Sequence, residues 1–151
     1  MNYLDPDWAY FVGMVVARGT LSESAGVRQI TINFPHSNLR ARGVNVRIDQ
    51  DTSIKLGLNE IRLRLSDLLD TEVETRAAEG TIDLVVRFMH NALPWRMLLR
   101  VTERQQSFRG FQVPSVFLDS GTPQDLKREF IKGFADVAGN IRHANRYVDG
   151  R

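Results

Sequence analysis

Residues 8–19 read WAYFVGMVVARG, and a related stretch, FIKGFADVAG, occupies residues 130–139. Both are apolar around nearly the whole circumference, the pattern of a helix buried against other elements rather than lying on a surface. In the first, Ala9, Gly13 and Ala17 fall four apart and line one side with almost no side chain, where another backbone can come close. In the second, Gly133 takes the place of Gly13, one turn before Val137, and Gly139 that of Gly19. Glycine inside a helix costs about 1 kcal/mol relative to alanine. Two such helices in one small chain are expected to pair through Ala9, Gly13, Ala17, Gly133 and Val137. Gly19 and Gly139 are each suited to end a helix in a left-handed turn.

These stretches resemble degenerate copies of the signature helix of the LAGLIDADG homing endonucleases, with Phe11 to Gly19 and Ile131 to Gly139 matching the nine motif positions. Around the second copy, Val113-Pro114, Phe117, a polar turn and the run Leu126 to Ile141 follow the usual approach to such a helix. The resemblance implies an α+β fold: an αββαββα repeat with an antiparallel four-stranded sheet, then a second signature helix and a partial second repeat. In the family, the eighth motif position is an acid, and the two acids together hold the divalent ions that cleave a phosphodiester. Here those positions are Arg18 and Ala138. Magnesium needs carboxylate or carbonyl oxygens, and arginine supplies only a like charge. Asp136, at the sixth position, lies roughly half a turn from the helix foot and reads better as a hydrogen-bonding residue than as a surviving metal ligand. Arg18 complements the macrodipole at a helix C-terminus, and it also suits a DNA phosphate.

At 151 residues with 42% hydrophobic content, the chain can bury a real core. A formal charge of +2 and a pI near 9.3 permit nucleic-acid binding without arguing for it. Without cysteine there are no disulfides or thiolate metal sites, and His36, His90 and His143 are too scattered for zinc. The N-terminus carries acids where a signal peptide has lysines, and no apolar run is long enough to span a bilayer, so the expected location is cytoplasmic, with no membrane partner.

The first helix is expected to open at Asp5-Pro6-Asp7, an N-cap acid followed by proline. A turn through Ser22 to Gly26 leads to an alternating strand, Val27 to Phe34, with Arg28, Ile30, Ile32 and Phe34 on one side; a second strand is expected over Val44 to Asp49. Leu58, Ile61, Leu65, Leu68 and Leu69 repeat at helical spacing, with Arg62 and Arg64 outward. Strands Glu72 to Ala77 and Thr81 to Met89 follow, joined at Glu79-Gly80; the latter turns Ile82, Leu84, Val86 and Phe88 inward and leaves Thr81, Asp83, Val85 and Arg87 outside. A third helix, Pro94 to Glu103, presents Trp95, Leu98 and Leu99 to the core. Residues 1–104 make the first repeat. A linker, 105–121, is too apolar at Phe108, Phe111, Val113, Val116 and Phe117 to hang free, and 122–151 hold the second signature helix, opened by a capping box at Thr122-Pro123-Gln124-Asp125. About a dozen residues follow Gly139, where a second repeat needs on the order of a hundred; a longer parent protein, a reduced relative and a homodimer all remain open.

The resemblance places the exposed sheet face in a DNA major groove and nominates Gln29, Thr31, Asn33, Asn45, Arg47, Arg76 and Arg87, with loop residues Arg40 and Arg42 on phosphates. Gln and Asn pair with adenine edges and Arg with guanine. Asp49, Glu72, Glu74 and Asp83 share that face and oppose phosphate. Polar residues at alternate positions also suit any half-solvated sheet. The leading expectation is a domain that binds double-stranded DNA, has lost cleavage and carries no cofactor. The alternatives are an active magnesium-dependent endonuclease using Asp136, Glu23 or an acid from a missing half, and a protein-association scaffold.

Overall fold

The carboxylate of Asp5 accepts the Asp7 amide at 2.7 Å and Pro6 follows at once, so helix α1 starts on its sequence signal and runs Pro6–Arg18. The computed structural model describes residues 5–35, 50–78 and 80–138. Gly19 leaves α1 in an extended conformation (φ −90°, ψ 155°) and not in the left-handed turn expected of it. Glycine is needed there for space: a Cβ would stand 2.6 Å from the Val15 carbonyl oxygen and 2.8 Å from Val15 Cγ1. Gly139 lies outside the described residues.

Strand β1, Gly19–Ser24, follows directly, where a turn from Ser22 was expected. The turn is confined to Ala25 and Gly26, both at positive φ (52° and 79°), the geometry of a tight two-residue hairpin. Next come β2 (Val27–Pro35), α2 (Gln50–Leu69), β3 (Val73–Ala78), β4 (Thr81–Phe88), α3 (Leu93–Val101), the short α4 (Ser115–Leu118) and α5 (Gln124–Ala138). The strand expected over Val44 to Asp49 lies outside the described residues, and β1 pairs with β2 in the described sheet. Among the described residues the chain is an α+β fold of five helices and one antiparallel sheet, ordered β1-β2-β4-β3.

One face of the sheet carries Leu21, Ile30, Ile32, Phe34, Leu84, Val86 and Phe88, all buried in a core shared with α1, Leu58, Leu65 and Leu69 of α2, and Trp95 and Leu98 of α3. Each such side chain contributes about 1.5–3 kcal/mol by leaving water. Alternation along β2 and β4 produces this face, as the sequence predicts, with one exception. Val85, expected outside, is only 1% exposed, although its strand register places it between Thr31 and Glu74 on the polar side.

Three further expectations are corrected. Arg64 does not point away from the fold: its guanidinium lies 4.0 Å over the Tyr10 ring and 2.6 Å from the Asp7 carboxylate. Val113 is 44% exposed, although Phe117 beside it is buried and stacks on Phe130 at 4.3 Å between ring centroids. The Thr122 hydroxyl donates to the Val116 carbonyl, joining α4 to the start of α5 instead of capping the helix amides. Among the described residues, no helix is long and apolar enough to cross a membrane.

The polar sheet face and the foot of the first helix, a candidate nucleic-acid interface

The site is built on the contact between α1 and α5. A Cβ placed on Gly13 would overlap the Phe130 carbonyl oxygen and come within 2.9 Å of the Phe134 amide; one placed on Gly133 would overlap the Tyr10 carbonyl oxygen. The contact is reciprocal, each glycine receiving the backbone of the other helix. Ala9 and Val137, on the same sides, are fully buried, and Ala17 is partly buried against the core. Side chains at 13 or 133 would force the helices apart, so the glycines set how closely they run.

Asp136 lies within this contact. Its carboxylate accepts the Tyr10 hydroxyl at 2.6 Å, the hydrogen-bonding role expected for it. Burial chiefly, then the hydrogen bond to Asp136 and that residue's charge, push the Tyr10 phenol well above the ordinary tyrosine range. Arg64 over the ring and Glu129, 3.8 Å from Arg64, complete a charged group on this side of the helix pair.

At the foot of α1, Arg18 reaches the polar face of the sheet. Its Nε and Nη2 both donate to Asn33 Oδ1, at 3.2 and 2.6 Å, and Asn33 Nδ2 donates to Asp83 at 2.7 Å. Asn33 and Asp83 face each other across β2 and β4, so the register itself sets this chain of bonds. A second chain crosses the sheet nearby. Gln29 donates to Thr31 at 3.2 Å and accepts Arg87 Nε at 3.1 Å, while Arg87 Nη1 meets both Glu74 oxygens at 2.8 Å. Arg76, exposed on β3, makes no hydrogen bond or ion pair among the described residues.

Five nominated residues, Gln29, Thr31, Asn33, Arg76 and Arg87, therefore share one face, and four of them are already bonded to protein partners. Arg40, Arg42, Asn45 and Arg47 lie outside the described residues, as does Asp49. Glu74 and Asp83 do share the polar face, and each holds one of its nominated residues. Glu23 belongs to the opposite row: it sits across from Arg28 in the register and pairs with it at 3.4 Å.

The donor set at the helix feet does not fit a divalent cation. Arg18 and Ala138 offer no oxygen ligand, Asp136 is engaged by Tyr10, and Asp83 by Asn33. Among the described residues, no three His, Asp or Glu side chains gather as a metal site requires.

Sequence reasoning missed the contribution of the stretch after α3. Leu21 N donates to Gln106 O and Phe108 N to Gly19 O, both at 2.8 Å, so residues 106–108 lie along the free edge of β1, with Ser107 bridged to Thr20. Phe108 then stands 5.8 Å below the Arg18 guanidinium. The apolar character of Phe108 signalled packing, but nothing local named its partner. No family model matches the chain, and neither does any curated protein.

Proposed function

We propose that this chain is a LAGLIDADG-like domain that binds duplex DNA through the polar sheet face without cutting it. The observation that carries this is the reciprocal glycine contact of α1 and α5 inside an αββαββα order, which delivers Arg18 to the polar face. Two further features support it. The sheet displays Gln29, Asn33, Arg76 and Arg87, side-chain types able to read base edges, on one continuous surface. The Arg87–Glu74 pair that occupies one of them is exposed on both sides (31% and 49%), and such pairs contribute only about 0–1 kcal/mol, so DNA can replace Glu74 at little cost.

Cleavage by the family's metal-assisted route has no counterpart in these residues, because a guanidinium occupies one of the two acid positions and a methyl group the other. Arg18, oriented by Asn33, instead provides a fixed positive charge for the phosphate backbone.

The test is a binding titration on mixed-sequence duplexes at about 50 and 200 mM salt, with parallel incubations in magnesium and manganese. Binding that weakens steeply with salt, without strand cleavage, is expected. Absence of binding at low salt overturns the DNA assignment; metal-dependent cleavage abolished by Asp136→Asn restores the endonuclease alternative.

A further inference from the structure

The edge of β1 carries a feature that the DNA-reading face does not account for. Glu103 and Arg104, just after α3, both take left-handed conformations (φ 54° and 63°), which side-chain-bearing residues adopt rarely. They turn the chain back so that residues 106–108 can run along β1. This places Phe108 near two arginines: the Arg18 guanidinium lies 5.8 Å from the ring centroid and that of Arg109 lies 5.9 Å from it.

Neither cation forms an ion pair among the described residues. Among the described residues, Arg18 bonds only the uncharged amide oxygen of Asn33, whose orientation is fixed because its Nδ2 is committed to Asp83. Among the described residues, Arg18 Nη1 and one hydrogen of Nη2 have no protein partner, and the exposed Arg109 side chain forms no ion pair. Two like charges held against one ring repel each other, and the ring's negative face offsets only part of that. An anion close to both offsets the repulsion and accepts from donors that have no partner among the described residues. Guanidinium groups bind phosphate oxygens through paired N–H donors, and phosphate is the anion that a neighbouring duplex supplies.

We infer that Arg18, Phe108 and Arg109 form a phosphodiester contact at the β1 edge, with Phe108 holding both guanidinium groups in place and the stretch after α3 acting as part of the DNA-binding surface. The inference rests on the DNA-binding assignment above, and it adds two residues, Phe108 and Arg109, that the sheet face alone does not name.

The experiment is an anisotropy titration of the full chain with a mixed duplex across a salt series, repeated with inorganic phosphate as competitor. Arg109→Ala should weaken duplex binding severalfold and reduce the slope of log affinity against log salt by about 1, the signature of one lost phosphate contact. Phe108→Leu should weaken binding less, since both charges remain. Arg96→Ala, on the exposed side of α3, should leave slope and affinity unchanged. Arg18→Ala should act like Arg109→Ala; if it does not fold, as circular dichroism would show, Arg109→Ala still decides. A wild-type chain that binds duplex with unaltered slope in Arg109→Ala overturns this contact while sparing the DNA assignment. A wild-type chain that binds no duplex overturns both. Competition by millimolar phosphate that Arg109→Ala abolishes supports an anion site, and equal competition in wild type and Arg109→Ala counts against it.

Discussion

Helices α1 and α5 carry the same motif in different surroundings. Phe11 and Met14 of α1 are fully buried beneath the sheet; the matching residues of α5, Ile131 and Phe134, are 59% and 40% exposed. Between the two helices the relation is reversed, because Gly13 and Gly133 make equivalent backbone contacts. The motif therefore specifies the helix-to-helix side in both copies, while the burial of the opposite side depends on whether a sheet lies against it. Polarity follows the same division: Tyr10 donates to Asp136, whereas the matching Phe130 and Val16 have no such groups.

Breaking the shared side should have the largest effect. Gly13→Val or Gly133→Val drives a side chain into the facing backbone, and a loss of about 3 kcal/mol or more, up to loss of cooperative unfolding in urea, is expected for either. Equal damage from both substitutions would confirm that the contact is reciprocal. Next is the side on which the helices differ. Phe11→Ala should cost about 3–5 kcal/mol and Ile131→Ala no more than about 0.5 kcal/mol by the same urea measurement. A large loss at Ile131 would mean that another layer covers α5 in solution.

The polar pair is expected to matter less than Gly13, Gly133 or Phe11. Tyr10→Phe makes α1 resemble α5 at this place and leaves the partly buried Asp136 without its donor, costing about 1–2 kcal/mol near neutral pH. The folded-state phenol pKa lies above the unfolded value, so its contribution is complete below pH of about 10 and declines as pH rises further, because the unfolded chain releases a proton that the folded chain keeps. Stability should therefore fall above that pH by at most about 1.4 kcal/mol per unit from this group, and Tyr10→Phe should flatten that part of the curve.

Legibility followed the range of the forces involved. The start of α1 could be read because Asp5 and Pro6 act on amides within one turn. The buried faces of β2 and β4 could be read because strand alternation is local. Strand β1 could not: GTLSES offers one strong apolar residue, Leu21, and becomes a strand because β2 pairs with it along its whole length. Val85 followed the alternation in facing the polar side, yet is buried there, a consequence of neighbours on β2 and β3 that its own strand does not encode.

From the candidate site, the sequence predicted residue types on a face and the absence of acids at the helix feet. It could not predict that Arg18 would bond Asn33, that Asp83 would fix Asn33 from the other side, or that Phe108 would meet Arg18. These partners are 15, 50 and 90 residues apart, and only the sheet register and the path of the chain after α3 bring them together. By itself, then, the sequence determined the two bare-sided helices, the Asp5 cap of α1 and the alternation of β2 and β4, since each depends on neighbours within a few positions. The tertiary structure alone decided which charges pair, which remain free, and which side of α5 is left uncovered, because electrostatic and packing partners are chosen by distance in space and not along the chain.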